Sequence, residues 1–134
     1  MKKKVLIVSA SYYSNITDSL IVDAQVKLDE YKIKHNVIDV PGVFEIPVTI
    51  AKNIKKYDAF IALGCVIKGE TPHFEFISSS SINAIMQLSI THKKPIGNGI
   101  ITSLNKKQAL VRSNPNKKNK GGEAAKAMIS VLGI

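Results

Sequence analysis

Tryptophan is missing from the chain, cysteine and arginine occur once each, and only 10 acidic residues face 19 basic ones. Each shortage excludes something. The lone Cys65 has no partner for an internal disulfide, and within the apolar run 59–67 a thiol behaves as a small hydrophobe. No apolar run approaches the roughly 18 residues that a membrane span requires. Three lysines and four aliphatic residues after Met1 imitate a signal peptide, but the run stops at Ser9, too early for a secretory core. No P-loop, G-x-G-x-x-G or G-x-S-x-G occurs, and no Cys, His, Asp or Glu group has metal-ligand spacing. These exclusions predict a cytoplasmic protein.

What is present fits one globular domain over residues 1–134, since 45% hydrophobic and 22% charged residues leave disorder behind. The net charge of +9 comes almost entirely from lysine. A basic surface is the electrostatic footprint of nucleic-acid binding. Against that reading, the lysines are scattered in pairs along the sequence. Arginine, the residue for bidentate phosphate and base contacts, is nearly absent, and aromatics for stacking are few. A solvated surface is the expectation, and no specific nucleic-acid partner. The solitary Arg112 is then a candidate for a position that needs planar geometry.

Hydrophobic periodicity divides the chain into alternating elements. Strands are expected at residues 4–9, 35–40, 58–67 and 95–102. Helices are expected from Asn15 or Thr17, as cap, to about residue 34, from Pro47 to about 56, and over 74–91, 104–113 and 121–132. The helix over 74–91 is expected to turn Ile77, Ile82, Ile85 and Leu88 inward. Such alternation predicts an α/β, three-layer, doubly wound domain with a four-stranded mainly parallel sheet, flavodoxin-like in class. Ligands of such sheets sit outside the carboxyl ends of the strands.

Three strand-end segments carry unusual chemistry. Gly69-Glu-Thr-Pro-His-Phe74 offers backbone donors before a helix, suited to an oxyanion, and His73 suits proton transfer; the bland alternative is a capping loop. Phe44 and Glu45 beside Gly42 could hold a ring and sugar-like hydroxyls, or could be core and a helix-start acid. Tyr12 and Tyr13 offer a stacking face, or are partly buried tyrosines with wet hydroxyls. Arg112 and Lys120 make a phosphate clamp or part of the basic surface. Alternatives from other classes are a flavin or nucleotide carrier of similar fold and a basic nucleic-acid-binding domain.

Together these segments narrow the choice. Val40-Pro-Gly-Val-Phe-Glu-Ile-Pro47, the run 58–74 with Gly-Cys-Val-Ile-Lys-Gly-Glu-Thr-Pro-His-Phe74, then Gln108-Ala-Leu-Val-Arg112 and Asn119-Lys-Gly-Gly-Glu-Ala-Ala125 closely resemble the 6,7-dimethyl-8-ribityllumazine synthases, in order and over nearly the whole chain. The resemblance implies condensation of 5-amino-6-(D-ribitylamino)uracil with 3,4-dihydroxy-2-butanone 4-phosphate, without cofactor or metal. It implies His73 as the proton-transfer residue and Gly69, Glu70 and Thr71 as the phosphate-side loop, with Arg112 on the phosphate and Lys120 nearby. Tyr12, Val43, Phe44, Glu45, Val66, Ile67, Lys68 and the Asn98 position complete the substrate-binding set. It further implies a homo-oligomer, a pentamer or a sixty-subunit shell of pentamers, with Arg112 and Asn98 serving a neighbour's site. The chain departs from the family pattern at Ser11, usually arginine, at Asn98, usually aromatic, and over residues 78–81, which usually include an acid.

Overall fold

The structure, a computed structural model, describes residues 2–133. Four strands, β1 (Lys4–Ala10), β2 (Lys34–Val40), β3 (Ala59–Ile67) and β4 (Ile96–Ser103), form one parallel sheet in the order β2-β1-β3-β4. Five helices accompany them: α1 (Ser14–Glu30), α2 (Ile46–Lys52), α3 (Phe74–His92), α4 (Lys106–Ser113) and α5 (Lys120–Leu132). The expected α/β architecture with helices on both faces is borne out.

Every residue of β3 is buried, as a strand covered on both faces requires. Its side chains alternate between two cores. Ile61, Leu63, Cys65 and Ile67 pack with Ile16, Leu20 and Leu28 of α1 and Met128 of α5. Phe60, Ala62 and Val66 pack with Ile46 and Ile50 of α2 and Ile85 of α3. On the first face small residues bring backbones together. A Cβ on Gly121 would strike the backbone of Leu20, and one on Gly97 the carbonyl of Ala124, so α5 lies tight against both α1 and β4.

Three local expectations are corrected. Neither Asn15 nor Thr17 caps α1, which emerges from a tight turn at residues 11–13; the Thr17 hydroxyl instead donates to the Ala10 carbonyl at 2.7 Å and ties α1 to the end of β1. Helix α2 stops at Lys52, and the Asn53 amide donates to the Thr49 carbonyl at 2.8 Å as the chain turns away. On α3 Ile85 is buried and the half-buried Ile77 and Leu88 pack against the same core as expected, but Ile82 does not join it, and Ser78 and Ser81 take enclosed positions. Phe76, Met86 and Ile90 stay exposed, so α3 is apolar on more than one side.

From β1 the chain steps to β2 on one side and, after α2, to β3 on the other. This reversal opens a crevice at the carboxyl ends, where ligands of doubly wound sheets bind.

Candidate active site

The turns at these carboxyl ends build a cleft of about 360 Å³. Tyr12 comes from the turn after β1, and Gly42, Val43, Phe44 and Glu45 from the turn after β2. Cys65 and Val66 end β3, Thr71, Pro72 and His73 lead into α3, and Ile77 closes the wall. Tyr12 and Phe44 are more than half exposed, so two aromatic faces stand free at the mouth. Tyr12 is braced edge-on by Tyr13, with centroids 4.9 Å apart, and Phe44 lies 6.2 Å from Phe76 of α3.

Glu45 is fixed by its own turn. Its Oε1 accepts the Gly42 N–H at 3.0 Å, and its N–H donates to the Gly42 carbonyl at 3.1 Å. This reciprocal bonding leaves the second carboxylate oxygen for a ligand hydroxyl. Beneath it, the buried Ser9 hydroxyl donates to Asp39, and Ser11 donates to the Val40 carbonyl at 3.2 Å. Where an arginine is usual in the family pattern, Ser11 thus spans β1 and the end of β2.

The loop from β3 to α3 depends on backbone conformation. Gly69 has φ +86, and no atom lies within 4 Å of where its Cβ would stand, so the glycine is needed for its left-handed backbone rather than for space. The Glu70 and Thr71 N–H groups both donate to the Ile67 carbonyl, at 3.3 and 3.0 Å. His73 is also left-handed, with φ 59 and ψ 37, immediately before α3. A non-glycine residue there costs about 1–2 kcal/mol, and the turn leaves the imidazole exposed at the cleft.

Tyr13 holds this loop from outside the cleft through a 3.0 Å hydrogen bond between its hydroxyl and Thr71 Oγ1. Burial pushes the phenol above its ordinary value, so it remains a hydroxyl at neutral pH. Tyr13→Phe is expected to lower unfolding free energy by about 1 kcal/mol in urea titrations, and Thr71→Val by a similar amount. If the bond is the cause, the double variant loses little more than either single one; full additivity would contradict it.

Cys65 is chemically quiet. Burial, reinforced by the Glu70 charge and opposed by Arg112, pushes its thiol up to about 12, so it serves as cleft wall and not as a nucleophile.

Of the expected site residues, Tyr12, Val43, Phe44, Glu45, Val66, Thr71 and His73 meet in the cleft. Lys68, Gly69 and Glu70 are exposed in the adjoining loop, and Ile67 is fully buried in the core beneath it. The exposed Arg112, in the last turn of α4, donates to the Thr102 carbonyl at the end of β4. Lys120 is half-buried at the start of α5, whose cap, Asn119 Oδ1, accepts the Gly122 N–H at 3.0 Å. Asn98 lines a separate hollow with Met86, Met128 and Val131, its side chain accepting the Ile100 N–H at 3.0 Å. Sequence reasoning missed Gly42, Cys65, Pro72 and Ile77 as lining residues, although the first three lie inside the motifs it singled out.

A parallel doubly wound sheet with a cleft of aromatic, carboxylate and imidazole groups at its switch point defines an α/β enzyme of the flavodoxin-like class. Its sequence relatives are specific. The 6,7-dimethyl-8-ribityllumazine synthase family model matches residues 2–134. The chain is 48% identical to a 6,7-dimethyl-8-ribityllumazine synthase of Zymomonas mobilis, over 98% of this chain and 95% of that protein. It is 46% identical to 6,7-dimethyl-8-ribityllumazine synthase 1 of Rhodopseudomonas palustris, over 98% and 85%, and 44% identical to the enzyme of that name from Bartonella henselae, over 99% and 88%. The chain belongs to the 6,7-dimethyl-8-ribityllumazine synthase family.

Proposed function

We propose that the cleft condenses 5-amino-6-(D-ribitylamino)uracil with 3,4-dihydroxy-2-butanone 4-phosphate to 6,7-dimethyl-8-ribityllumazine, releasing phosphate and water. This is the penultimate step of riboflavin biosynthesis, carried out in the cytoplasm without cofactor or metal. The observation that carries the reading is convergence: two free aromatic faces, a fixed carboxylate and an imidazole meet in one cleft of a chain of this family.

Tyr12 and Phe44 hold the pyrimidine by their faces, and Glu45 accepts hydrogen bonds from the ribityl hydroxyls. Val43, Val66 and the backbone of residues 67–68 form the apolar floor and edge of the pocket. The loop of Gly69, Glu70 and Thr71 receives the phosphate end, with the Thr71 hydroxyl as donor, and Arg112 and Lys120 supply its counter-charge. His73 moves protons as the amine of one substrate adds to the ketone of the other and as phosphate leaves. Holding both substrates in one cleft removes much of the entropy cost of their encounter.

The same reading makes the enzyme a ring of at least five copies. Asn98 and Arg112 stand outside the cleft lined by Tyr12, Phe44 and His73, which suits sites shared between neighbours. The exposed Phe76, Met86 and Ile90 of α3 supply apolar surface for such a contact, worth about 1.5–3 kcal/mol per large side chain buried. In a head-to-tail ring each junction joins two different surfaces and completes one site.

The test combines activity and assembly. The wild type incubated with both substrates is expected to form the fluorescent lumazine well above the uncatalysed rate. His73→Ala and Arg112→Ala subunits, unfolded together and reassembled, are expected to recover about a quarter of wild-type activity, the fraction of junctions with both residues intact. No product from the wild type would sink the reaction. No recovery in mixed rings verified by native mass spectrometry would return Arg112 to its own chain's cleft or to the solvated surface.

A further inference from the structure

The lysine pairs that lie far apart in the sequence are gathered by the fold. Residues 2–4, 27–34, 52–58 and 93–94 all stand at the amino ends of the strands, opposite the cleft. These segments contain eleven lysines and three carboxylates, and so hold eight of the nine net charges of the chain. Helices α1, α2, α3 and α5 also end at this pole, each contributing roughly −0.5 charge, which offsets only about a quarter of the excess.

Some of these lysines have structural work. Lys27 pairs with Glu30 at 2.9 Å, Lys94 donates to the carbonyls of Ile54 and Tyr57, and Lys4 lies over the Tyr57 ring. Asp58 accepts the Lys4 N–H at 2.8 Å. Five of the others, Lys2, Lys3, Lys32, Lys34 and Lys93, line two hollows. One, of about 550 Å³, is lined by the exposed Lys2, Lys3, Lys32 and Lys34 together with Tyr31 and a single acid, Asp29. Lys3 also lines the second, of about 590 Å³, with Lys93, Lys94 and Asp58.

We infer that this pole binds single-stranded nucleic acid by its sugar–phosphate backbone, without reading sequence. Lysine ammonium groups suit phosphates as point charges, and their use in place of arginine fits a surface that demands no bidentate geometry. Tyr31, nearly half exposed within the lysine hollow, offers the stacking face that such sites add to positive charge. The surface lies at the opposite ends of the strands from the cleft, so occupancy of one leaves the other open.

The test uses the intact protein and a fluorescein-labelled 20-nucleotide oligouridine, followed by anisotropy from 50 to 200 mM KCl. With about four phosphates neutralised, affinity is expected to fall roughly 50-fold across that range, from a slope of about −0.7 per phosphate. Lys32→Asn/Lys34→Gln is expected to flatten the slope by about 1.4, asparagine being tolerant of the left-handed backbone at position 32. Tyr31→Ala is expected to weaken binding about tenfold. Lumazine formation in the same samples is expected to stay at the wild-type level, showing that each variant is folded. Three results would overturn the inference: no binding at 50 mM salt, an equal flattening by Lys117→Gln/Lys118→Gln at the other pole, or tighter binding to polyglutamate or phosphatidylserine vesicles than to the oligonucleotide.

Discussion

Replacing His73 with alanine is expected to lower turnover by about 100- to 10,000-fold, the range for loss of a positioned general acid–base. The side chain is exposed, so stability should hardly change, and removing the left-handed histidine backbone is not part of the substitution. Substrate affinity should be nearly preserved, because in the proposed role the imidazole moves protons and does not hold the resting ligands. Arg112→Ala should show the opposite pattern. Loss of a guanidinium–phosphate pair costs roughly 1.5–3 kcal/mol, which appears as a KM for the butanone phosphate raised about 10- to 150-fold. Steady-state kinetics with each substrate varied in turn separates the two. A His73 variant with unchanged kcat, or equal KM values in the two variants, would contradict the assigned roles.

The second large effect is structural. Gly121 sits where a Cβ would meet the oxygen, carbon and Cα of Leu20, all of them backbone atoms that no side-chain rotation relieves. Gly121→Val therefore has to push α5 away from α1 and thin the core that holds Leu20, Ala124 and Met128. A loss of about 3 kcal/mol is expected, at the upper end for overpacking, or roughly 10 °C in melting temperature for a domain of this size. Gly69→Ala is the natural comparison. Open space surrounds that position, so only the left-handed penalty of about 1–2 kcal/mol applies. A Gly121 variant that melts with the wild type would show that α1 and α5 are not in backbone contact.

The strands and the loops that line the cleft were legible in the sequence because each depends on local signals. An apolar run such as 59–67 announces a buried strand, and glycine with proline announces the turns that become the cleft. The rims of α3 were not legible. Apolar residues surround that helix, so periodicity alone could not tell that Ser78 and Ser81 would be enclosed while Phe76, Met86 and Ile90 remained outside. The segment 119–125 was read as a motif of the family, with Lys120 near the phosphate. The structure gives much of it a packing reason: Asn119 caps α5, and Gly121 admits α1. The gathering of lysines at one pole was invisible for a different reason. Pairs separated by twenty or more residues look scattered until the crossovers return each to the same end of the sheet.

The parallel sheet also governs how the chain reaches its native state. Lys4 pairs with Lys34, Val5 with Ala59 and Phe60 with Ile96, so every strand pairing spans at least 30 residues. Among the described residues no hairpin nucleates the sheet locally; the loop-closure entropy of a long crossover must be overcome before the first pairing is rewarded. Until both neighbours arrive, the nine residues of β3, all buried in the native structure, are an exposed apolar strand with two open edges. A chain with β3 still unpaired offers the surface most open to misassociation. The tight seat of α5 on Gly97 holds the last strand in the finished sheet.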